Sequence, residues 1–425
     1  MTIGLLCGAT QLQAQSGEKS LEYYLDAAQQ HSPLLQDYRH QMEMQRQEGM
    51  RLKALYTKAR VELSGDYLFV PVIAHEQGHT SFKWNAQDGT DYQGYDLGQS
   101  SGHLQAGLTW TQPLLGKSLY QTAQEQTETN RHMLSYKMKL EKHQLERSVT
   151  EQYLLCLLDK AQIDYADSTD RTLGEQAEVV QGLIQAGFAK MSDSNLLSIE
   201  RERNREARTA ALQSYRSHLA DLNILCGIPD TAVYELASID LPLRPAASGF
   251  HSSFMEQYRL DSLLAVTGLK TFRMQYKPQL NLFADTGMRT GVFQSLQRRF
   301  GVSAGLTFSW LLWDGRQRRY KERQTEEQLG AIRAYRTQFQ TQNEMRKHQY
   351  MQELQDYDTR YASLKKQLDD YNRLLTNYRK EIQAGQLSTL DYLTVLRNKI
   401  QTERDYLLLR TNRQLLIVAF NYWNW

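Results

Sequence analysis

The sequence predicts a mainly α-helical protein with a small β part, in which long antiparallel helical hairpins are joined to four short strands. Two polar segments, at 117–186 and 316–384, contain no proline and together only three glycines, so each is predicted to be one long helix. Each follows two runs of alternating apolar and polar residues, which is typical of strands that cross a membrane. Matching sequences recur at a constant spacing, which indicates an internal two-fold repeat.

Composition excludes some functional classes. The net charge is only +2 and 23% of the residues are charged, so we expect no nucleic-acid partner. No run of about 18 apolar residues occurs, which excludes a transmembrane helix but not membrane-spanning strands. The 25 tyrosines suit surfaces that are apolar on one side and hydrated on the other.

The N-terminus resembles a secretory signal peptide over 1–14, with a short apolar stretch before Ala14. The usual basic residues are missing, which leaves open a truncated or misassigned start. Removal of this segment would leave only Cys156 and Cys226, and two isolated cysteines do not define a disulfide framework. We therefore expect no disulfide bridge between them.

Two pairs of matching sequences define the repeat. Ala-Gly-Leu-Thr at 106–109 recurs at 304–307, and Gln-Ala-Gly at 185–187 recurs at 383–385, both with an offset of 198 residues. Loops tolerate length changes, so a constant offset indicates a structure whose length is fixed mechanically. The predicted first repeat, connector and second repeat are 15–230, 231–250 and 251–425.

The long helices are expected to form hairpins. Each reaches a glycine, Gly187 or Gly385, where the chain is predicted to turn and return as a second helix. A helix of about 70 residues would be about 100 Å long, more than a compact globule uses. A heptad seam in the second copy indicates lengthwise packing, at Leu364, Leu368, Tyr371, Leu375, Tyr378 and Ile382. The predicted helices are 20–57, 117–186, 192–225, 316–384 and 389–420.

Four segments alternate with period two and are predicted to be strands, at 59–70, 103–113, 278–287 and 301–312. Trp310 and Trp313, near the end of the last one, suit an aromatic girdle at a membrane interface. Four strands cannot close a barrel, and an open edge in lipid leaves unpaired backbone groups that cost several kcal/mol each. The chain must therefore pool its strands with other copies, although the sequence does not count them.

This plan, with its doubled motifs, resembles the TolC-like outer-membrane efflux family over essentially the whole chain. The hairpin sequences at 187–197 and 385–393 resemble the family's pattern of Gly, then Ser or Thr near Asp, then an apolar residue. The segment 306–315 resembles the family's last strand leading into a long helix, although Leu311 stands where proline is usual. Gln112 to Gly116 keeps that proline in the first copy.

The resemblance implies a homotrimer with a twelve-stranded β-barrel in outer-membrane lipid and an α-barrel tunnel that crosses the periplasm. It also implies two partners, a periplasmic adaptor (membrane fusion) protein and an inner-membrane transporter of the RND or ABC type. No cofactor or metal is implied. The expected function is a passive exit duct for drugs, small toxic molecules or secreted polypeptides, with a periplasmic coiled-coil adaptor or structural protein without a pore as the alternative.

The resemblance also suggests site residues. Asp193 and Asp391 match acidic residues that narrow the periplasmic end of the pore. A second acidic position falls on Thr394, and a basic residue that stabilises the closed state falls on Leu387, so neither feature carries over. The residues expected to contact the adaptor are Ala186, Gly187, Phe188, Ala384, Gly385 and Gln386. An alternative is that both aspartates simply cap helix N-termini.

Two motifs suggest enzymes, but their contexts do not support catalysis. The string His75 to His79 fits H-E-x-x-H, which binds zinc only when both histidines share a helix face. Gly78 lies inside it and Pro71 precedes it, so a surface loop at 71–102 is predicted instead. The G-x-S-x-G string at 98–102 precedes a strand rather than joining a strand to a helix. We therefore predict that the protein is not an enzyme, and that the isolated His143 and His348 are solvated.

Overall fold

The computed structural model describes residues 18–97, 101–245, 252–290, 298–384, 386 and 388–425. The chain divides into two units, each built from separate segments. We call the first the helical unit, formed by Met1–Tyr38, Lys137–Met255 and Arg336–Trp425. We call the second the sheet unit, formed by Arg39–Tyr136 and Glu256–Tyr335. The signal peptide predicted at 1–14 lies outside the described residues.

The α-helices of the described ranges are α1 Leu21–His31, α2 Pro33–Thr57, α3 Ala86–Gln93, α4 Gly116–Gln185, α5 Met191–Cys226, α6 Met255–Phe272, α7 Gln317–Gln383 and α8 Thr389–Trp423. A short 3₁₀ turn, Arg273–Tyr276, follows α6. The long helices thus lie within a few residues of the limits that proline-free, helix-favouring sequence predicts. No helix among the described residues combines the length and the apolarity needed to cross a bilayer.

The single helix predicted at 20–57 is wrong, because the chain breaks between α1 and α2. Ser32 adopts an extended conformation (φ −60°, ψ 114°), and Pro33 begins the next helix. Proline disfavours helical backbone at the residue before it and has no N–H for the helix ladder, but it is well tolerated in a first turn. The Ser32 hydroxyl oxygen accepts a hydrogen bond from the Leu35 amide at 3.3 Å and so caps the new helix.

The strands are β1 Arg60–Phe69, β2 Val72–Glu76, β3 His79–Lys83, β4 Gly102–Pro113, β5 Gln279–Thr290 and β6 Phe300–Ser309. Four of them form one antiparallel sheet in the order β1-β4-β5-β6. The register aligns the predicted apolar positions across the sheet, for example Leu63 with Leu108 and Leu282 with Leu306. Because side chains alternate between faces, the sheet has one largely apolar face and one largely polar face.

The segment between β1 and β4 is not the plain loop that was predicted at 71–102. It contains the β2–β3 hairpin and the short helix α3. Asn85 caps α3 through its side-chain oxygen, which accepts from the Asp88 amide at 2.9 Å. Val70, at the start of this segment, and Leu97, within it, are both buried. Buried apolar residues and a helix cap thus accompany regular structure in a sequence whose glycines suggested a loop.

The core of the helical unit lies between α1, α4 and α5. Tyr24, Tyr153, Cys156, Leu222 and Cys226 are almost completely buried there. The Tyr153 hydroxyl lies 2.7 Å from the Ala237 carbonyl and 2.9 Å from the Lys19 carbonyl, so the predicted connector is fixed against this core. Both cysteines are free, as expected from their isolation in the sequence.

Candidate functional site at the hairpin ends

The first hairpin end is a tight turn between α4 and α5. Gly187 has a φ of +79°, a conformation that side chains with a Cβ rarely adopt. The Phe188 amide donates to the Leu183 carbonyl at 2.8 Å and the Gly187 amide to the Ile184 carbonyl at 3.0 Å. These bonds satisfy the last carbonyls of α4, as in the common glycine-terminated helix ending. Phe188 is 75% exposed at the tip, although aromatic side chains are usually buried.

Asp193 lies in the first turn of α5. Its carboxylate accepts a hydrogen bond from the Lys190 backbone amide at 3.0 Å, and its own amide donates to the Lys190 carbonyl at 2.9 Å. A carboxylate at this position satisfies a free amide and favourably meets the positive end of the helix dipole. The geometry of Asp193 therefore supports the capping interpretation.

The second hairpin end differs at its aspartate. The Ser388 hydroxyl oxygen accepts from the Leu390 amide at 3.2 Å and so caps α8. The Asp391 amide donates to the Ser388 carbonyl at 3.1 Å, but its exposed carboxylate makes no hydrogen bond or ion pair with a described residue. The Thr394 hydroxyl donates to the Leu390 carbonyl at 2.8 Å. Asp391 thus has a free charge at the start of its helix, unlike Asp193.

The remaining predicted tip residues lie in or beside the two turns. Ala186, Gly187 and Phe188 are exposed, as are Ala384 and Gln386. The Gln386 amide donates to the Glu381 carbonyl at 2.8 Å, which closes the end of α7. Gly385 lies outside the described residues, as does Leu387, where the family has a basic residue.

An apolar cluster joins the two hairpins near these ends. It contains residues of all four helices, namely Leu173, Val180, Leu197, Ile382, Tyr392, Leu393 and Leu396. Leu375 and Tyr378, from the predicted heptad seam of α7, pack against it. The last three positions of the predicted seam, Leu375, Tyr378 and Ile382, therefore pack against neighbouring helices, and the ends of both hairpins are brought into one packed region.

Two ion pairs that the sequence did not reveal also join the hairpins. Arg397 of α8 donates to the Glu200 carboxylate of α5 at 2.7 Å, and the Glu200 side chain is only 7% exposed. Arg379 of α7 lies 2.8 Å from the Glu175 carboxylate of α4. These residues are about 200 positions apart in the chain, so no local pattern could have paired them. Removal of one partner from a buried ion pair leaves an uncompensated charge, which strongly destabilises the folded protein.

A cavity of about 200 Å³ lies beside the first of these pairs. It is lined by Tyr165, Glu200 and three arginines, Arg203, Arg397 and Arg404, together with neutral polar and apolar groups. Three guanidinium groups against one carboxylate make the cavity net positive. Its chemistry suits an acidic side chain better than an apolar one.

The H-E-x-x-H string does not form the helical arrangement of a zinc motif. His75 and Glu76 end β2 and His79 begins β3, so the H-E-x-x-H string forms a β-hairpin. Glu76 forms an ion pair with Lys83 at 2.8 Å. No group of three or more potential metal ligands occurs in the described ranges. Of the G-x-S-x-G string, residues 98–100 lie outside the description and Ser101 is buried, donating to the Asn85 carbonyl.

The prediction of a solvated His143 is wrong, whereas His348 is exposed. The His143 ring stacks on Tyr422 and Trp425, with centroids 4.7 and 4.5 Å away. Its Nε2 donates to the Tyr422 carbonyl at 2.9 Å. No local sequence pattern indicates this contact, because Tyr422 and Trp425 reach this helix only through the tertiary fold.

Comparisons with known proteins identify this architecture. No family model and no curated relative matches the chain. The outer membrane protein VceC from Vibrio cholerae shares 14% identity over 95% of both chains, with a TM-score of 0.71. The chain has the fold of an outer-membrane channel. CusC matches at 14% identity over 95% of this chain and 91% of its own, also with a TM-score of 0.71.

Further solved channels share this outer-membrane channel fold. The open state of the MtrE outer membrane channel from Neisseria gonorrhoeae matches 95% of this chain and 88% of its own, at 13% identity and a TM-score of 0.67. The Campylobacter jejuni CmeC outer membrane channel matches 95% of this chain and 85% of its own, at 11% identity and a TM-score of 0.67. The predicted resemblance to TolC-like channels is therefore confirmed at the level of fold.

Proposed function

We propose that the chain is one subunit of an outer-membrane efflux channel, which provides a passive exit for drugs, small toxic molecules or secreted polypeptides. The observation that carries the proposal is the exposed apolar face of the four-stranded sheet. Its side chains include Leu63, Val302, Leu306 and Phe308, which are 62 to 77% exposed. A soluble protein rarely leaves so many neighbouring apolar groups in water, whereas lipid contacts them at no cost.

Closure of the sheet requires further copies of the chain. Within the described residues β1 and β6 are the two edges of the sheet, and each has a pairing partner on one side only. An open edge within lipid costs several kcal/mol for each unpaired group. Three copies would supply twelve strands, enough to enclose a water-filled lumen, and their helices would form a tunnel through the periplasm. The two halves of each subunit then act as two copies of one structural repeat.

The other face of the sheet suits an aqueous lumen. It contains Ser64, Gln105, Thr109, Asn281 and Ser303, all polar and aligned by the same strand register. Such a surface offers hydrogen bonds to water but no specific site for one solute. The channel therefore conducts rather than catalyses, and it requires neither a cofactor nor a metal.

Partners would supply the energy. The exposed hairpin ends around Phe188 and Gln386 provide a docking surface for a periplasmic adaptor, which links the channel to an RND-type or ABC-type transporter. The cavity beside Glu200 and Arg397, with its three arginines, would accept acidic side chains of an adaptor that reaches past the tips. Asp391, whose carboxylate is free, would contribute one charge per subunit to a ring at the periplasmic aperture. Charged rings of this kind select ions by sign.

Single-channel recording in a planar bilayer tests the proposal. We expect the purified chain to conduct with a preference for cations, and Asp391→Asn to reduce that preference. Glu206→Gln is the matched control, because it removes one exposed carboxylate from α5, away from the predicted aperture positions. Protein that inserts into no bilayer and never conducts, with or without Asp391, would contradict the proposed function.

A further inference from the structure

Exposed basic residues lie at one end of the four-stranded sheet. The pairings Arg60 with Thr111, Pro113 with Asn281 and Gln279 with Ser309 show that this end holds the start of β1, the end of β4, the start of β5 and the end of β6. Helix α7 begins a few residues beyond β6. Arg316 and Arg319 lie here, and both are exposed.

The turn between β6 and α7 is held rigidly. The Asp314 carboxylate accepts from the backbone amides of Arg316 and Arg318, each at 2.8 Å, and from the Tyr276 hydroxyl. Glu322, one turn into α7, pairs with Arg273 and Arg318. The two carboxylates of this turn are therefore already engaged.

Arg316 and Arg319 have no ion pair with any residue that the structure describes. Their position is also unfavourable for the helix, because the first turn of α7 contains no acidic residue and basic groups there oppose the helix dipole. Exposed arginines placed against the dipole on this turn would be stabilised by a bound anion.

Apolar and aromatic side chains lie directly before these arginines. Trp310, Leu312 and Trp313 are 54%, 77% and 77% exposed, and they follow the apolar strand β6. The Trp310 indole N–H donates to the Tyr276 carbonyl at 3.1 Å, which fixes the ring at the sheet end. Tryptophan rings favour the boundary between acyl chains and headgroups. The chain thus presents, in order, an apolar strand, two indoles and two free guanidinium groups.

We propose that Arg316 and Arg319 form, with Trp310 and Trp313, a binding site for the headgroup of an anionic phospholipid. The inference rests on the proposed placement of the sheet in a membrane. The planar guanidinium group binds two oxygens of a phosphate at once, and the indoles contact the glycerol and upper acyl region of the same lipid. A bound phosphate also offsets the unfavourable placement of basic groups at the start of α7.

Quenching of tryptophan fluorescence by brominated lipids tests the site in the full chain reconstituted into vesicles. Trp110, Trp310 and Trp313 lie at this end of the sheet and report on bound lipid. We expect dibrominated phosphatidylglycerol to quench more effectively than dibrominated phosphatidylcholine, with a relative affinity of about fivefold for each arginine. The double variant Arg316→Gln/Arg319→Gln should bring the two lipids close to equality.

Lys365→Gln/Lys366→Gln is the matched control, since it removes the same charge from exposed positions much further along α7. It should keep the preference for phosphatidylglycerol. Equal quenching by the two lipids in the wild-type chain overturns the headgroup site but leaves the membrane placement intact. An equal loss of preference in both double variants also overturns the site, because net charge alone would then explain the effect. Absence of quenching by either lipid overturns the membrane placement itself.

Discussion

At the scale of single residues, His143 shows how a tertiary contact changes the chemistry of a side chain. Its ring is stacked between Tyr422 and Trp425 and is 8% exposed. Burial lowers the pKa of His143 below its usual value, although the bond to the Tyr422 carbonyl and the nearby Glu146 oppose this effect. The neutral imidazole is therefore the form that the folded chain favours.

This depressed pKa predicts a loss of stability in acid. The unfolded chain takes up the proton at a higher pH than the folded chain, so the stabilisation is complete above about pH 6.5 and falls as the pH drops below it. The loss for one proton is at most about 1.4 kcal/mol per pH unit. His143→Phe should retain the stacking but flatten the pH dependence, measured as the midpoint of thermal unfolding from pH 8 to 5.

His348→Phe provides the comparison, because His348 is exposed on α7. The midpoint of thermal unfolding of this variant should fall in acid to the same extent as that of the wild-type chain. If His143→Phe unfolds with the same dependence on pH as the wild type, the buried neutral imidazole is not the cause.

At the scale of helices and hairpins, the pair Glu200–Arg397 connects α5 to α8. Because Glu200 is nearly buried, Arg397→Gln would leave an uncompensated charge and destabilise the chain by about 3–5 kcal/mol. The double variant Glu200→Gln/Arg397→Gln should recover much of this loss, because two neutral amides can bond to each other. Chemical denaturation of the single and double variants measures the coupling.

The pair Glu43–Arg46 on α2 serves as the control. The Glu43 carboxylate accepts hydrogen bonds from Arg46 and Gln47, which lower the pKa of Glu43 to about 2. The side chains of Glu43 and Arg46 are nevertheless at least half exposed. Solvent screens such a pair, so Glu43→Gln should change the stability little. Equal losses in Arg397→Gln and Glu43→Gln would show that burial of Glu200 is not important.

The four strands permit a test of which face meets lipid. Leu306 and Thr307 are neighbours on β6 and both are exposed, but they belong to opposite faces. Lysine at an apolar-face position would cost about 2–4 kcal/mol near the middle of a bilayer, whereas lysine on the lumen face is hydrated. Leu306→Lys should therefore reduce insertion into vesicles, measured by flotation, and Thr307→Lys should not. Similar insertion by both variants would contradict the assignment of the faces.

Elements with a local sequence signal could be predicted, whereas contacts set by the tertiary fold could not. Period-two alternation identifies which residues share a face in β1, β4, β5 and β6, because side chains alternate between the two faces of a strand. Helix propensity is decisive over long segments such as α4. Pro33 is a local signal for the break between α1 and α2, because proline disfavours helical backbone at the residue before it. The partners of Glu200 and His143 were not readable, since they depend on which helices become neighbours.

At the scale of the whole molecule, the proposed assembly of several copies depends on the two edges of the sheet, β1 and β6. In a closed ring, β6 of one subunit pairs with β1 of the next, and no edge is left free. Glu62 on β1 and Thr307 on β6 are exposed on the polar face, where a water-soluble reagent can reach them. Cysteines at these two positions can therefore report whether the edges of neighbouring copies meet.

The chain Glu62→Cys/Thr307→Cys, in a Cys7→Ser background and treated with a short bismaleimide, should yield covalent dimers and trimers and nothing larger. Burial raises the pKa of Cys156 and of Cys226 to about 12, so these native thiols should not react. Either single cysteine alone should give no ladder, because each linkage joins unlike edges. Denaturing electrophoresis reads the result directly. Products that extend beyond the trimer would indicate an open polymer, and monomer alone would show that the edges of the sheet are not joined between copies.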